Sequence, residues 1–266
     1  MNAAPIGVFD SGIGGLTVVR ALRHRLPHES IVYVGDTARV PYGPKSPETV
    51  RRYAGEIAAW LVAQGVKLVV VACNTATAHA LPELRATLGI PVVGVVQPGA
   101  RAAVRADRGG HIGVIGTAGT IASGAYERAI LEIAPSVTIT ARACPLFVPL
   151  VEEGWLDTEP TRLIAHAYLQ PLIDDRVDAI VLGCTHYPLL KPLLHEILGP
   201  GVALIDSAEE TAEETAELLR ARAAEAAPGA VGTARFVVTD APAQFLRSAE
   251  RFLGEPVERV ETITFA

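Results

Sequence analysis

Val69-Val70-Val71-Ala72-Cys73-Asn74-Thr75 and Ile180-Val181-Leu182-Gly183-Cys184-Thr185-His186 are the two stretches that decide how this chain folds. In each, a run of β-branched and small apolar residues ends on a cysteine, and polar residues then lead into a helix-like stretch. Short, continuous apolar runs of this kind read as strands covered on both faces. Two thiols at equivalent positions, one per half of the chain, imply a pseudo-symmetric site with two matched acid/base groups.

Working outward, other segments repeat in the same order. Gly7-Val8-Phe9-Asp10-Ser11-Gly12 is similar to Gly113-Val114-Ile115-Gly116-Thr117-Ala118, and Val95-Val96-Gln97-Pro98 to Leu204-Ile205-Asp206-Ser207. These pairs and the two thiols share a spacing of about 110 residues, which argues for two similar halves. Strands are predicted at residues 5–9, 31–35, 67–72, 92–96, 111–115, 137–141, 179–182, 202–205 and 235–238, with a last edge strand at 257–260. Amphipathic helices are predicted at 14–25, 47–64, 76–87, 161–174 and 209–224. Short strands alternating with helices mean βαβ units and parallel sheets. The expectation is therefore an α/β fold: two pseudo-symmetric domains with parallel-type sheets flanked by helices, and the active site in the cleft between them. The first domain takes residues 1–97 plus 207–266, because the tail has too few elements to stand alone; the second takes 98–206.

Composition narrows the function classes. The chain has 266 residues, half of them hydrophobic, enough for one large core or two smaller ones. A net charge of -6 makes nucleic acid an unlikely partner. Three cysteines without C-x-x-C spacing read as reduced thiols, the start lacks a signal-peptide pattern, and no apolar run is long enough for a membrane span. The expected location is cytoplasmic, with no membrane association.

In open parallel sheets, ligands bind beyond the carboxyl ends of the strands. Asp10, Asp36, Cys73, Thr117 and Cys184 all stand at such ends. An isolated cysteine is most often a small buried hydrophobe. Cys73 and Cys184 depart from that because each enters a polar context, where a helix N-terminus and nearby donors favour the thiolate. Cys144 has no such neighbours and reads as structural. The glycines of Asp10-Ser11-Gly12-Ile13-Gly14-Gly15 permit a tight turn and close backbone approach to a ligand carboxylate or phosphate. Asp10 itself reads equally well as a helix cap or as a group that orients an ammonium or tunes a base. The Pro/Gly-rich connection from Asp36 to Ser46 includes Pro41-Tyr42-Gly43, where Tyr42 and Gly43 can offer backbone N–H groups. His186, two residues past Cys184, is placed to assist proton transfer. Glu152 and Glu153 read as a solvated pair that could cover the cleft, and the acidic run from Glu209 to Glu214 as a solvated helix face. Metal-ligand spacing is lacking. The lysines, Lys45, Lys67 and Lys191, show no pyridoxal-site context.

Val8-Phe9-Asp10-Ser11-Gly12-Ile13-Gly14-Gly15-Leu16, Pro41-Tyr42-Gly43, Ala72-Cys73-Asn74-Thr75-Ala76 and Leu182-Gly183-Cys184-Thr185-His186-Tyr187-Pro188, in this order and at these separations, resemble the glutamate racemases of the aspartate/glutamate racemase superfamily. The resemblance covers nearly the whole chain. Thr77 stands where the family pattern has Ser, and Cys-Thr-His favours glutamate over aspartate as substrate. The resemblance implies two α/β domains closing over glutamate with no cofactor and no metal. It implies Cys73 and Cys184 as opposed bases, for D- and L-glutamate respectively, assisted by Asp10 and by His186 with Glu152. It implies substrate contacts from Asp10, Ser11, Pro41, Tyr42, Gly43, Asn74, Thr75, Thr117, Thr120, Thr185 and His186. It further implies a homodimer, and D-glutamate made for peptidoglycan, the polymer that sets cell shape. Two other readings are an isomerase of another amino acid such as aspartate, and a regulatory binding protein on the same fold. The regulatory reading has DNA gyrase as its partner, and no segment of the sequence supports it.

Overall fold

The computed structural model describes residues 2–265. The strands are β1 (Ile6–Asp10), β2 (Ile31–Gly35), β3 (Leu68–Val71), β4 (Val92–Gly94), β5 (His111–Gly116), β6 (Thr138–Ala143), β7 (Ala179–Gly183), β8 (Ala203–Ile205), β9 (Ala234–Val238) and β10 (Glu261–Thr262). The helices are α1 (Leu16–Arg25), α2 (Pro47–Ala63), α3 (Asn74–Thr87), α4 (Val96–Ala106), α5 (Ala118–Ala122), α6 (Ala125–Ile133), α7 (Phe147–Glu152), α8 (Glu159–Asp174), α9 (Lys191–Leu198), α10 (Ser207–Ala221) and α11 (Pro242–Leu253). A 3-10 turn spans Tyr187–Leu190.

Every strand pairing is parallel, in two sheets. One sheet has the order β10-β9-β2-β1-β3-β4 and the other β6-β5-β7-β8. The order β2-β1-β3-β4 recurs as β6-β5-β7-β8, so the sequence repeat is a repeated topology. β1, β2, β3 and β7 are buried at every position, as continuous apolar runs require. The partly exposed β6 lies at an edge.

Local chemistry sets the helix starts. The Ser46 hydroxyl accepts the Thr49 N–H at 3.3 Å, and Pro47 opens α2 with its φ already suited to a helix. Asp206 accepts the Ala208 N–H at 3.0 Å and starts α10. Two expected boundaries shift. The strand expected at 92–96 ends at Gly94, and α4 begins at Val96, so the division expected at 97/98 falls inside a helix. The edge strand expected at 257–260 is irregular; Val257 sends its side chain into the core, and β10 pairs with β9 through Glu261 and Thr262.

α4 carries the chain from the first sheet to the second, and α10 carries it back. One continuous core joins residues of both, from Ile6 and Val70 through Ala212 and Leu219 to Ile180 and Leu182. The acidic run on α10 is not simply solvated. Glu213 pairs with Arg25 of α1, while Glu210 and Glu214 pair with Arg105 and Arg101 of α4. These exposed pairs are each worth little, but their placement sets α10 between the two halves.

The halves meet most closely at glycines. A Cβ on Gly14 would overlap Thr185 Oγ1 and the His186 ring, and one on Gly119 would fall 2.7 Å from the Gly43 carbonyl oxygen. The Gly119 N–H donates to that oxygen at 2.9 Å. Thr17 Oγ1 reaches the Thr185 carbonyl at 3.2 Å. Gly14→Ala is therefore expected to lower stability by about 1–3 kcal/mol, the usual cost of overpacking. Urea unfolding measures this, and an unchanged midpoint would mean that the halves separate here freely.

Candidate active site

The carboxyl ends of β1, β3, β5 and β7 bring the site together. Asp10, the last residue of β1, is fully buried; its Oδ2 accepts the Gly12 N–H at 3.0 Å, and Oδ1 has no hydrogen-bond partner. Gly15, not Asp10, caps α1. Two of the glycines make close approaches within the protein. Gly14 makes room for Thr185 and His186, and a Cβ on Gly15 would fall 2.5 Å from Asp10 Cβ, so both approach protein atoms. Burial raises the Asp10 carboxyl, while the His186 charge and the N–H groups of Gly12, Gly15 and Ser11 pull it down.

Cys73 follows β3 and caps α3, with its Sγ accepting the Ala76 N–H at 3.4 Å. It is 6% exposed. Burial first, then the charge of Asp10, push the thiol up to about 12, against hydrogen bonds from Ala76 and Ser11.

Cys184 follows β7 and is likewise 6% exposed. Its Sγ lies 3.8 Å from His186 Nδ1, and His186 Nε2 lies 2.9 Å from Glu152 Oε1. His186 is buried ahead of a 3-10 turn, not a solvated residue of an α-helix. Burial disfavours its imidazolium, but the hydrogen bonds and charges of Cys184 and Glu152 outweigh burial and hold the ring up at about 10. Glu152, the last residue of α7, is thus engaged, while Glu153 is exposed. Arg251 of α11 fixes this corner, its Nη1 donating to the Val151 and Glu152 carbonyls at 3.0 and 2.7 Å.

Beyond the strand ends, hydroxyl and amide groups from both halves meet. Thr75 Oγ1 lies 2.9 Å from Thr117 Oγ1 and 3.2 Å from Thr120 Oγ1, and Thr117 and Thr120 are 3.0 Å apart. Thr117 also caps α5 by accepting the Thr120 N–H. Asn74 is buried; its Oδ1 accepts from Tyr126 Oη at 2.6 Å, and its Nδ2 has no partner. On the Cys184 side, Thr185 Oγ1 lies 3.4 Å from His186 Nδ1.

The remaining candidates differ in where their side chains go. The Asp36 carboxylate is taken up by Arg39, Tyr42 and Thr239, so it does not enter the cluster. Tyr42 turns its hydroxyl to Asp36 at 2.5 Å and buries its ring. Pro41 is exposed and has no N–H to offer. Gly43 contributes its carbonyl to Gly119, and a Cβ there would press on Thr117. Cys144 is fully buried, and burial pushes its thiol up to about 12. Sequence reasoning missed Thr17 and Tyr126, whose roles arise from contacts across the two halves and leave no local signal.

A cavity of about 110 Å³ lined by Gly12, Val40, Glu152, Gln244 and Phe245 reaches the rim of the cluster. A more voluminous one, about 690 Å³, lies among Arg105, Arg108, Lys191 and His195 and touches neither thiol. Among the described residues, no three His, Cys, Asp or Glu side chains group closely enough to hold a metal ion. No described helix is long and apolar enough to cross a membrane.

Residues 16–215 match the family described as Asp/Glu/Hydantoin racemase. The glutamate racemase of Geobacter metallireducens is 56% identical over 249 residues, covering 94% of this chain and 92% of that one. Among solved structures, a Bacillus anthracis glutamate racemase superimposes with a TM-score of 0.95 at 42% identity, covering 99% of this chain and 98% of that one. The Francisella tularensis glutamate racemase, solved in complex with D-glutamate, gives 0.93 at 37% identity with the same coverage. The two-sheet parallel architecture, the matched thiols and these similarities agree: the chain belongs to the Asp/Glu/Hydantoin racemase family and, within it, to the glutamate racemases.

Proposed function

We propose that this chain interconverts L- and D-glutamate by a two-base proton transfer between Cys73 and Cys184. The observation that carries the reading is the duplication of the site. Each half ends its central βαβ unit on a thiol, and each thiol has its own acid/base neighbour: Asp10 for Cys73, and His186 backed by Glu152 for Cys184. The D-glutamate complex of the Francisella relative supports glutamate as the substrate class.

The chemistry follows from what the site holds. The α-proton of an amino acid is weakly acidic, so the developing carbanion needs oriented donors on the adjacent carboxylate. Ser11, Asn74, Thr75, Thr117, Thr120 and Thr185, with the backbone at Pro41-Tyr42-Gly43, supply the lining for the two carboxylates. Asp10, with one oxygen unpartnered, is placed to receive the ammonium. Burial is the larger cause holding the Cys73 thiol up and the Asp10 charge the next, and that contact would offset the second of these. On the other side, an imidazolium 3.8 Å from Cys184 stabilises negative charge on that sulfur. Two bases held against opposite faces of one carbon replace a bimolecular transfer, and exclusion of water keeps the proton on the site.

The division into residues 1–97 with 207–266 and 98–206 belongs to the same reading, with α4 and α10 as the connections about which the halves open. So do a homodimer, a cytoplasmic location and a supply of D-glutamate for peptidoglycan.

Cys73→Ser is expected to slow removal of the α-hydrogen from D-glutamate about 100-fold or more while glutamate still binds. Exchange from D-glutamate at the parental rate would contradict the assignment. The His186 ring, raised from an ordinary 6.5 to about 10, stays an imidazolium at neutral pH and loses its proton as pH rises through about 10. Glu152→Gln removes one of the groups that raise it. The basic limb of the pH–rate profile in the L-to-D direction is then expected to move to lower pH, and an unmoved limb would separate Glu152 from proton transfer.

A further inference from the structure

Tyr126 lies on α6, outside every motif that marks the site, yet it touches both thiol-bearing segments. Its hydroxyl donates to Asn74 Oδ1 at 2.6 Å, and Asn74 is the residue after Cys73. Its ring lies against Gly183, the residue before Cys184, where a Cβ would fall 3.1 Å from Tyr126 Cε2. The ring also meets both connections between the sheets. A Cβ on Gly99 of α4 would come within 3.2 Å of Tyr126 Cε1 and 3.3 Å of its Oη, and within 3.2 Å of Cβ of Ser207, the first residue of α10. Tyr126 is 1% exposed, so its position is set by packing.

The hydrogen bond has a directional consequence. A side-chain amide offers one acceptor oxygen and one donor nitrogen. With Oδ1 accepting from the phenol, Nδ2 remains as a buried donor without a partner. A buried unpaired donor is costly unless something arrives to accept from it.

We propose that Tyr126 is a positioning residue for the two-thiol site: its hydroxyl locks the Asn74 amide so that Nδ2 is held ready for the substrate carboxylate. Because the ring is wedged between α4, α10 and the start of the Cys184 segment, that lock is made only when the two halves are correctly seated. The inference rests on the racemase reading above and assigns the seating of the halves to one phenol.

The test is Tyr126→Phe, which keeps the ring and removes the donor, assayed with both enantiomers of glutamate beside Asn74→Ala and the double variant. The expected result is a KM raised roughly tenfold in both directions, the loss of one buried hydrogen bond, with a smaller change in kcat. The double variant is expected to be no worse than Asn74→Ala alone, because both changes remove the same interaction. A parental KM for Tyr126→Phe, or effects that simply add in the double variant, would overturn the proposal, as would a lowered Tm with KM unchanged. Should Tyr126→Phe not fold, Gly99→Ala, whose Cβ presses on the phenol oxygen, is expected to raise KM in the same way, and a parental KM there overturns the proposal. A parent protein with no activity on glutamate would be a different failure, that of the racemase reading itself.

Discussion

The close approach of two sheets by their carboxyl ends is the constraint on which the rest of this structure depends. A parallel sheet gathers loop residues and helix N-termini at that end of its strands. Bringing two such ends together requires backbone to meet side chain without an intervening Cβ, and Gly14 against Thr185 and His186 and Gly119 against Gly43 meet that need. Hydrogen bonds then span the seam: Thr17 to Thr185, Thr75 to Thr117 and Thr120, and Tyr126 to Asn74. Each sits within a few residues of a thiol or of Asp10. Packing of the halves and construction of the site are thus one event.

Enclosure also governs the electrostatics. Burial penalises charge on Asp10 and on Cys73, and their mutual repulsion adds to the penalty on the thiol. This side holds a thiol and a buried carboxyl group with one unpartnered oxygen. The other side differs, because His186 with Glu152 behind it supplies positive charge next to Cys184. The repeat is therefore symmetric in topology and asymmetric in charge.

Much of this was legible in the sequence. The apolar runs before Cys73 and Cys184 are strands because nothing polar interrupts them, and their shared spacing marks two similar α/β halves. Short-range pattern failed where tertiary contact decides. Residues 96–98 read as a strand end and a Pro-Gly boundary, but they open α4, where a proline in the first turn is tolerated. Asp36 stands at a strand end like Asp10, yet Arg39, Tyr42 and Thr239 consume its carboxylate. Glu152 reads as a solvated acid from its local sequence, and only the family resemblance puts it on the Cys184 side, where the fold sets it against His186. Tyr126 has no sequence signal, since its contacts lie on Asn74, Gly99, Gly183 and Ser207, all distant along the chain.

The central claim is that one thiol removes the α-hydrogen while the other delivers a different one. The most direct measurement starts from L-glutamate in deuterium oxide, with the purified protein and no added cofactor, and follows the label at the α-carbon of both enantiomers early in the reaction. The expected result is deuterium in essentially all of the D-glutamate formed, with the remaining L-glutamate still protiated. Return of the original hydrogen to the product, as a single base serving both faces would give, would contradict the two-thiol account.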